Sequence, residues 1–199
     1  MGMRMGLLAA ALAGGAAVAG ALPGGSVAPE FTGVDSNGVL HKLSEYRGKF
    51  VVLEWANQGC PYEQKLYLSG HMEALQKEWT GKGVVWLSVI SSAKGQQGYV
   101  TPSQENEYLK KMKASPTAAL LDPEGMIGHR YEAKTTPHMF VIDPAGKIVY
   151  QGAIDNRPTP DQADLKGADD YVSDALGLAM AGKPVAVSMT KPYGCSVKY

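Results

Sequence analysis

Two kinds of apolar pattern alternate along the chain, and together they predict its architecture. Lys49–Trp55, with Val51-Val52-Leu53 at its centre, and Val84–Ile90 are short continuous apolar runs, the mark of strands covered on both faces. Leu68, Met72, Leu75 and Trp79 recur at helical spacing instead, with Glu63, Lys65, Glu73 and Lys77 elsewhere. They predict one helix that starts after Cys60, with Pro61 suited to its first position and Gly81 and Gly83 ending it. Gln104–Lys113 and Asp164–Ala181 predict two further helices, the second apolar at Tyr171, Ala175 and Leu178 and stopped by Gly182-Lys183-Pro184. Phe31–Asp35 and Val39–Lys42 flank the turn signal Ser36-Asn37-Gly38. Leu43–Gly48 reads as a short turn. Leu120-Leu121-Asp122-Pro123 runs from strand into turn, and Met139–Asp143 with Lys147–Gln151 reads as a hairpin around Pro144-Ala145-Gly146. Ser91–Ser103, rich in Gly, Gln and Ser, reads as a surface excursion of functional length. The order predicts an α/β fold: a mixed central β-sheet with helices on both faces, an N-terminal β-hairpin, and a C-terminal helix plus tail.

Composition narrows the classes. A chain of 199 residues is enough for one domain, and 19 basic residues balance 19 acidic ones. That neutrality argues against a nucleic-acid groove or an electrostatic membrane anchor. The first 21 residues follow the plan of a signal peptide: Arg4, a small apolar core in Gly6–Ala13 and Ala16–Ala19, then the A-x-A site Ala19-Gly20-Ala21. No cysteine follows the core, which argues against a lipid anchor. The expected plan is a leader 1–21, read as cleaved with an uncleaved membrane anchor as the alternative, a linker 22–29, one domain 30–183, and a tail 184–199. The mature protein would be periplasmic or secreted, with no stable membrane association, where disulfides persist. Cys60 and Cys195 are the chain's two cysteines, too few for a disulfide scaffold and wrongly spaced for structural zinc.

The candidate chemistry gathers around Cys60. Gly59 and Pro61 fit a turn and helix start, where backbone N–H groups favour thiolate over thiol, the form that attacks disulfides and peroxides. Glu54, six residues earlier inside an apolar strand, is placed to give or take a proton if it is buried. The alternative is an acid turned outward or paired with a lysine. Thr136-Pro137 introduces the strand His138–Asp143, and we expect a cis bond there. It would set the carbonyl and N–H of Thr136 beside Cys60, ready to pair with an extended substrate backbone. His138 would then stand near the sulfur as a base or metal ligand, or simply as a satisfied residue. Arg130 is a candidate partner for a thiolate that spacing does not locate. Cys195, if the tail folds back, attacks an oxidised Cys60 and closes a disulfide; otherwise it is an unpaired tail thiol.

Taken together, Ala28-Pro29-Glu30-Phe31, Leu43–Lys49, Val51–Pro61, Thr136-Pro137 and Phe140–Gly146 resemble the thioredoxin-fold redoxins, especially the peroxiredoxin-like branch. The resemblance covers roughly residues 27–155, and the cysteine-bearing tail Lys191–Lys198 is similar to endings in that branch. It implies the attacking-cysteine position for Cys60, the buried-acid position for Glu54 and the cis-proline position for Pro137. Two departures stand out. Glu63 occupies the place of a thioredoxin's second cysteine, and Leu53 and Asn57 replace the peroxiredoxin proline and threonine. Asn57 is left to hydrogen-bond a peroxide. The resemblance implies a thiol oxidoreductase that reduces peroxides through Cys60 with Cys195 resolving. Thr136, Pro137 and Pro61 would bind substrate, an external thiol would serve as reductant, and neither a cofactor nor a resident metal is expected. Two alternatives remain. One is thiol–disulfide exchange on exported proteins, and the other a non-catalytic copper-delivery module using Cys60, His138 and Cys195.

Overall fold

The computed structural model describes residue 22 and residues 24–199, so the leader expected at 1–21 lies outside the described residues. Among the described residues nine strands and five α-helices follow in order: β1 Thr32–Asp35, β2 Leu40–Lys42, β3 Val51–Trp55, α1 Pro61–Leu68, α2 His71–Gly81, β4 Val85–Ile90, α3 Pro102–Met112, β5 Ala118–Leu121, α4 Met126–Arg130, β6 Thr135–Thr136, β7 Met139–Ile142, β8 Ile148–Gly152, α5 Tyr171–Met180 and β9 Cys195–Ser196. Seven strands form one sheet in the order β2-β1-β5-β4-β3-β7-β8. β3, β4 and β5 run parallel, while the β1–β2 and β7–β8 hairpins flank them antiparallel. The mixed sheet and both hairpins are those read from the sequence.

β3 divides the core because a strand sends alternate side chains to opposite faces. Val51, Leu53 and Trp55 join Phe31, Leu87, Ile127, Tyr131 and Phe140 on one side. Val52 joins Leu66, Met72, Leu75, Trp79, Trp86 and Leu176 on the other. Glu54 follows the same alternation toward the α1 and α2 face. Removing each large apolar side chain from water contributes about 1.5–3 kcal/mol, so an acid in this layer needs specific compensation.

Three expectations change. The helix predicted from Cys60 to Gly81 is two helices, because Gly70 takes a left-handed conformation (φ 79°) and redirects the chain. Leu68, counted on the apolar face, is exposed, whereas Glu63 and Lys65 are buried. The last helix begins only at Tyr171, where the Asp170 carboxylate caps it by accepting from Ser173 N at 2.8 Å. Residues 162–165 before it form a separate 3-10 turn. Finally, α4, unforeseen from the sequence, supplies Ile127 to the core.

Candidate active site

The loop after β3 turns tightly into α1. Cys60 N donates to Asn57 O at 2.9 Å, and Cys60 O then accepts from Glu63 N and Gln64 N as the first helical carbonyl. Cys60 is therefore the N-cap and Pro61 the first helical residue. The Cys60 sulfur is fully buried and lies 3.0 Å from Thr136 O. The Thr136–Pro137 peptide bond is cis, as anticipated. β6 then pairs with β9 in the register Thr136↔Cys195, so the tail brings the second cysteine onto the first. Gly194 makes this approach possible: its φ is 133°, and an added Cβ would stand 2.1 Å from Thr136 O.

The two sulfurs are electrically distinct. Burial pushes the Cys60 thiol up, but the polar groups around it, those of Cys195 first and then of Thr136 and the Glu63 backbone, outweigh burial and draw the value below that of a free cysteine. Cys195 moves the other way, to about 12, through burial, its hydrogen bond to Cys60 and the charge there. Of the two thiols Cys60 is thus the more acidic and Cys195 the less acidic. Both are free thiols in this state.

Long-range contacts hold the tail on both sides of Cys195. Upstream, Tyr193 OH donates to Asp155 Oδ1 at 2.5 Å, and Asp155 Oδ2 lies 3.5 Å from the buried Lys65 Nζ. Lys65 also donates to Arg157 O at 2.8 Å and to Tyr193 OH at 3.3 Å. Breaking such a buried pair costs about 3–5 kcal/mol, so this corner is a firm anchor. Downstream, Ala93 N donates to Lys198 O at 2.7 Å and Tyr199 OH to Ala133 O at 2.8 Å. The Tyr199 ring stacks on His129 with centroids 3.9 Å apart.

The predicted site residues separate into two groups. Cys60, Thr136, Pro137 and Cys195 meet at one point, while Pro61, the first residue of α1, is exposed. The edge of Thr136 expected to receive an extended substrate backbone already carries one, the chain's own β9. Asn57 turns its side chain to Gly59 N, at 2.8 Å, and to Gln97 Oε1, at 3.3 Å. Glu54 sits fully buried, accepting from Tyr67 OH at 2.8 Å, Gln76 Nε2 at 3.1 Å, Trp86 Nε1 at 2.6 Å and Ser88 Oγ at 3.0 Å. His138 is buried against Phe140, and burial lowers it to about 3, which leaves it neutral. Arg130 donates to Glu30 O instead of reaching the sulfur. Among the described residues no three His, Cys, Asp or Glu side chains gather in metal-ligand geometry.

Sequence reasoning missed Glu63. It is buried, its Oε2 accepts from Asn57 N at 2.6 Å, and its Oε1 has no hydrogen-bond partner. Its place three residues after Cys60 was the available signal. Lys65, Asp155 and Tyr193 carried none, since they come from three distant parts of the chain.

A sequence model of the AhpC/TSA family matches residues 25–151. Comparison with curated proteins finds no match. Among solved structures, an uncharacterized conserved protein from Geobacillus kaustophilus is 23% identical with a TM-score of 0.75, covering 89% of this chain and 92% of its own. A hypothetical protein from Sinorhizobium meliloti is 20% identical with a TM-score of 0.78, covering 90% and 96%. The thioredoxin domain of a thiol-disulfide oxidoreductase from Bacteroides vulgatus is 22% identical with a TM-score of 0.52, covering 73% and 97%. These likenesses are of fold, and the fold is thioredoxin-like.

Proposed function

The chain belongs to the AhpC/TSA family, and from that premise we propose a two-cysteine thiol oxidoreductase that reduces hydroperoxides. Cys60 thiolate attacks the terminal peroxide oxygen, the O–O bond breaks, and an alcohol or water leaves while Cys60 becomes a sulfenic acid. The Cys195 sulfur then attacks Cys60, water departs, and a disulfide forms that an external dithiol reduces. The observation that carries this reading is the register Thr136↔Cys195, which sets the second cysteine against the residue whose carbonyl lies 3.0 Å from the Cys60 sulfur. The leader-like sequence of residues 1–21 supports work in an exported compartment.

The test follows hydrogen peroxide and an alkyl hydroperoxide with dithiothreitol as reductant in wild type, Cys60→Ser and Cys195→Ser. Wild type should consume peroxide, Cys60→Ser should be inert, and Cys195→Ser, oxidised with dithiothreitol left out, should stop at the sulfenic acid, seen by mass. Equal inertness of wild type and Cys60→Ser rejects peroxide reduction.

One observation favours a second reading, exchange with protein disulfides. Thr136 already accepts an extended segment in antiparallel register, as it would a client's backbone. That mode requires β9 to leave first. Cys195→Ala should then trap a mixed disulfide between Cys60 and a client. Failure to trap one under oxidative load counts against it.

A further inference from the structure

Glu63 has no assigned task, yet its setting is unusual. It lies in the first turn of α1, whose N-cap is Cys60, and is sealed from solvent. A single donor, Asn57 N, reaches Oε2, and Oε1 is left without a partner. Beside it stands Glu54, whose two oxygens already take four donors. A buried carboxyl with a single donor and an unpartnered oxygen keeps its proton while a charge stands close by. We propose that Glu63 is the proton reservoir of the Cys60–Cys195 couple, holding one proton while Cys60 carries the charge and releasing it when Cys60 attacks.

The accounting closes. At rest Cys60, Cys195 and Glu63 together hold one negative charge, on the Cys60 sulfur, and two protons, one on Glu63 and one on Cys195. When Cys60 attacks a hydroperoxide, the leaving alkoxide takes the Glu63 proton. When Cys195 attacks the sulfenic acid, the S–O bond breaks and the hydroxide takes the Cys195 proton. Two electrons have passed to the peroxide, the disulfide is closed, and the single negative charge now rests on Glu63. With a disulfide substrate the same two protons go to the two departing thiolates. The inference rests on the two-cysteine reading but not on which of the two substrates is used.

The groups acting on Glu63 agree with this. Burial, first of all, and then the charges of Glu54 and Cys60 push its carboxyl well above the usual range, against the hydrogen bond from Asn57. Tyr67 of α1, Tyr108 of α3 and Cys195 of β9 are each raised in part by Glu63. Glu73 of α2 and Glu105 of α3 face the Glu54 end of the cluster.

The experiment compares full-length wild type, Glu63→Gln and Glu63→Asp by two readouts. Infrared spectra of the reduced proteins at neutral pH should contain a buried carboxylic acid band that Glu63→Gln abolishes. Stopped-flow oxidation by hydrogen peroxide and by oxidised dithiothreitol should slow about 100-fold in Glu63→Gln, the usual scale of lost proton transfer. The wild-type rate should fall as pH rises through the Glu63 titration, a limb that Glu63→Gln lacks and Glu63→Asp partly restores. Absence of the band, or a Glu63→Gln variant with the wild-type rate and pH profile, overturns the inference. If wild type reacts no faster than Cys60→Ser, the two-cysteine reading fails. Glu63 is then judged by the band alone, which must shift in Cys60→Ser for the link to the sulfur to stand.

Discussion

Glu54 on β3 and Glu63 in the first turn of α1 reach the same buried layer from two elements and meet opposite surroundings. Glu54 points into the helix-covered face and takes donors from Tyr67, Gln76, Trp86 and Ser88, contributed by α1, α2 and β4. Glu63, beside the sulfur, takes one donor and has one oxygen unpartnered. Burial is common to both, so burial does not decide what a buried acid does. The donors around it do. A carboxyl fully supplied with donors organises its neighbours, whereas an undersupplied one keeps a proton it can surrender.

The largest effect that tests this contrast is on stability. Glu54→Ala orphans four buried donors at once, and each costs about 1–3 kcal/mol when left unpaired. We expect a loss of at least about 3–5 kcal/mol, read by urea denaturation. A loss under 1 kcal/mol would mean that the four donors find other partners, and the contrast would fail. Glu63→Gln should act in the opposite direction and more weakly. Its folded-state value is raised by burial, so the stability it brings is complete below the ordinary 4.5 and is lost as pH climbs toward the folded value. The amide does not titrate and still accepts from Asn57 N. Its thermal midpoint should therefore pull ahead of wild type as pH rises from 5 to 8, by about 2–4 °C at the top for a gain near 1 kcal/mol. A constant offset across that range would assign the difference to packing instead.

The same pair explains what was legible in the sequence. The strand, the turn, Cys60, Pro61 and the cis bond before Pro137 are local features, set by residues a few positions apart. The periodicity of the helix marked Glu63 and Lys65 as lying off its apolar face, and a polar residue there usually meets water. Here α1 is only Pro61–Leu68, and its remaining sides are covered by segments from far along the chain. Gln97 Nε2 reaches Gly59 O at 2.7 Å from one direction, and Asp155 and Tyr193 close on Lys65 from another. Nothing near Lys65 in sequence announces an aspartate ninety residues on. The tail was readable only as a cysteine with somewhere to go. Its route depends on Gly194 and on anchors at Tyr193 and Tyr199 that make sense once the folded partners are present.

The smallest expected effect separates the tail from the carboxyl pair as the tuner of the sulfur. Two polar groups of Cys195, its thiol and its backbone, act on Cys60 to lower it. Cys195→Ala removes the first and leaves the second wherever β9 stays in register with Thr136. The Cys60 titration, followed by ultraviolet absorbance of the thiolate, should then move upward, because burial opposes the charge with one fewer donor to offset it. Cys195→Ser, whose hydroxyl can donate to the same sulfur, should recover part of the shift. Asp155→Asn should reproduce the direction of Cys195→Ala without touching either cysteine, by loosening the Lys65 and Tyr193 anchor that holds the tail in place. An unchanged midpoint in all three would mean that the start of α1 and Thr136 set the sulfur alone, and that the tail contributes a second thiol but no control over the first.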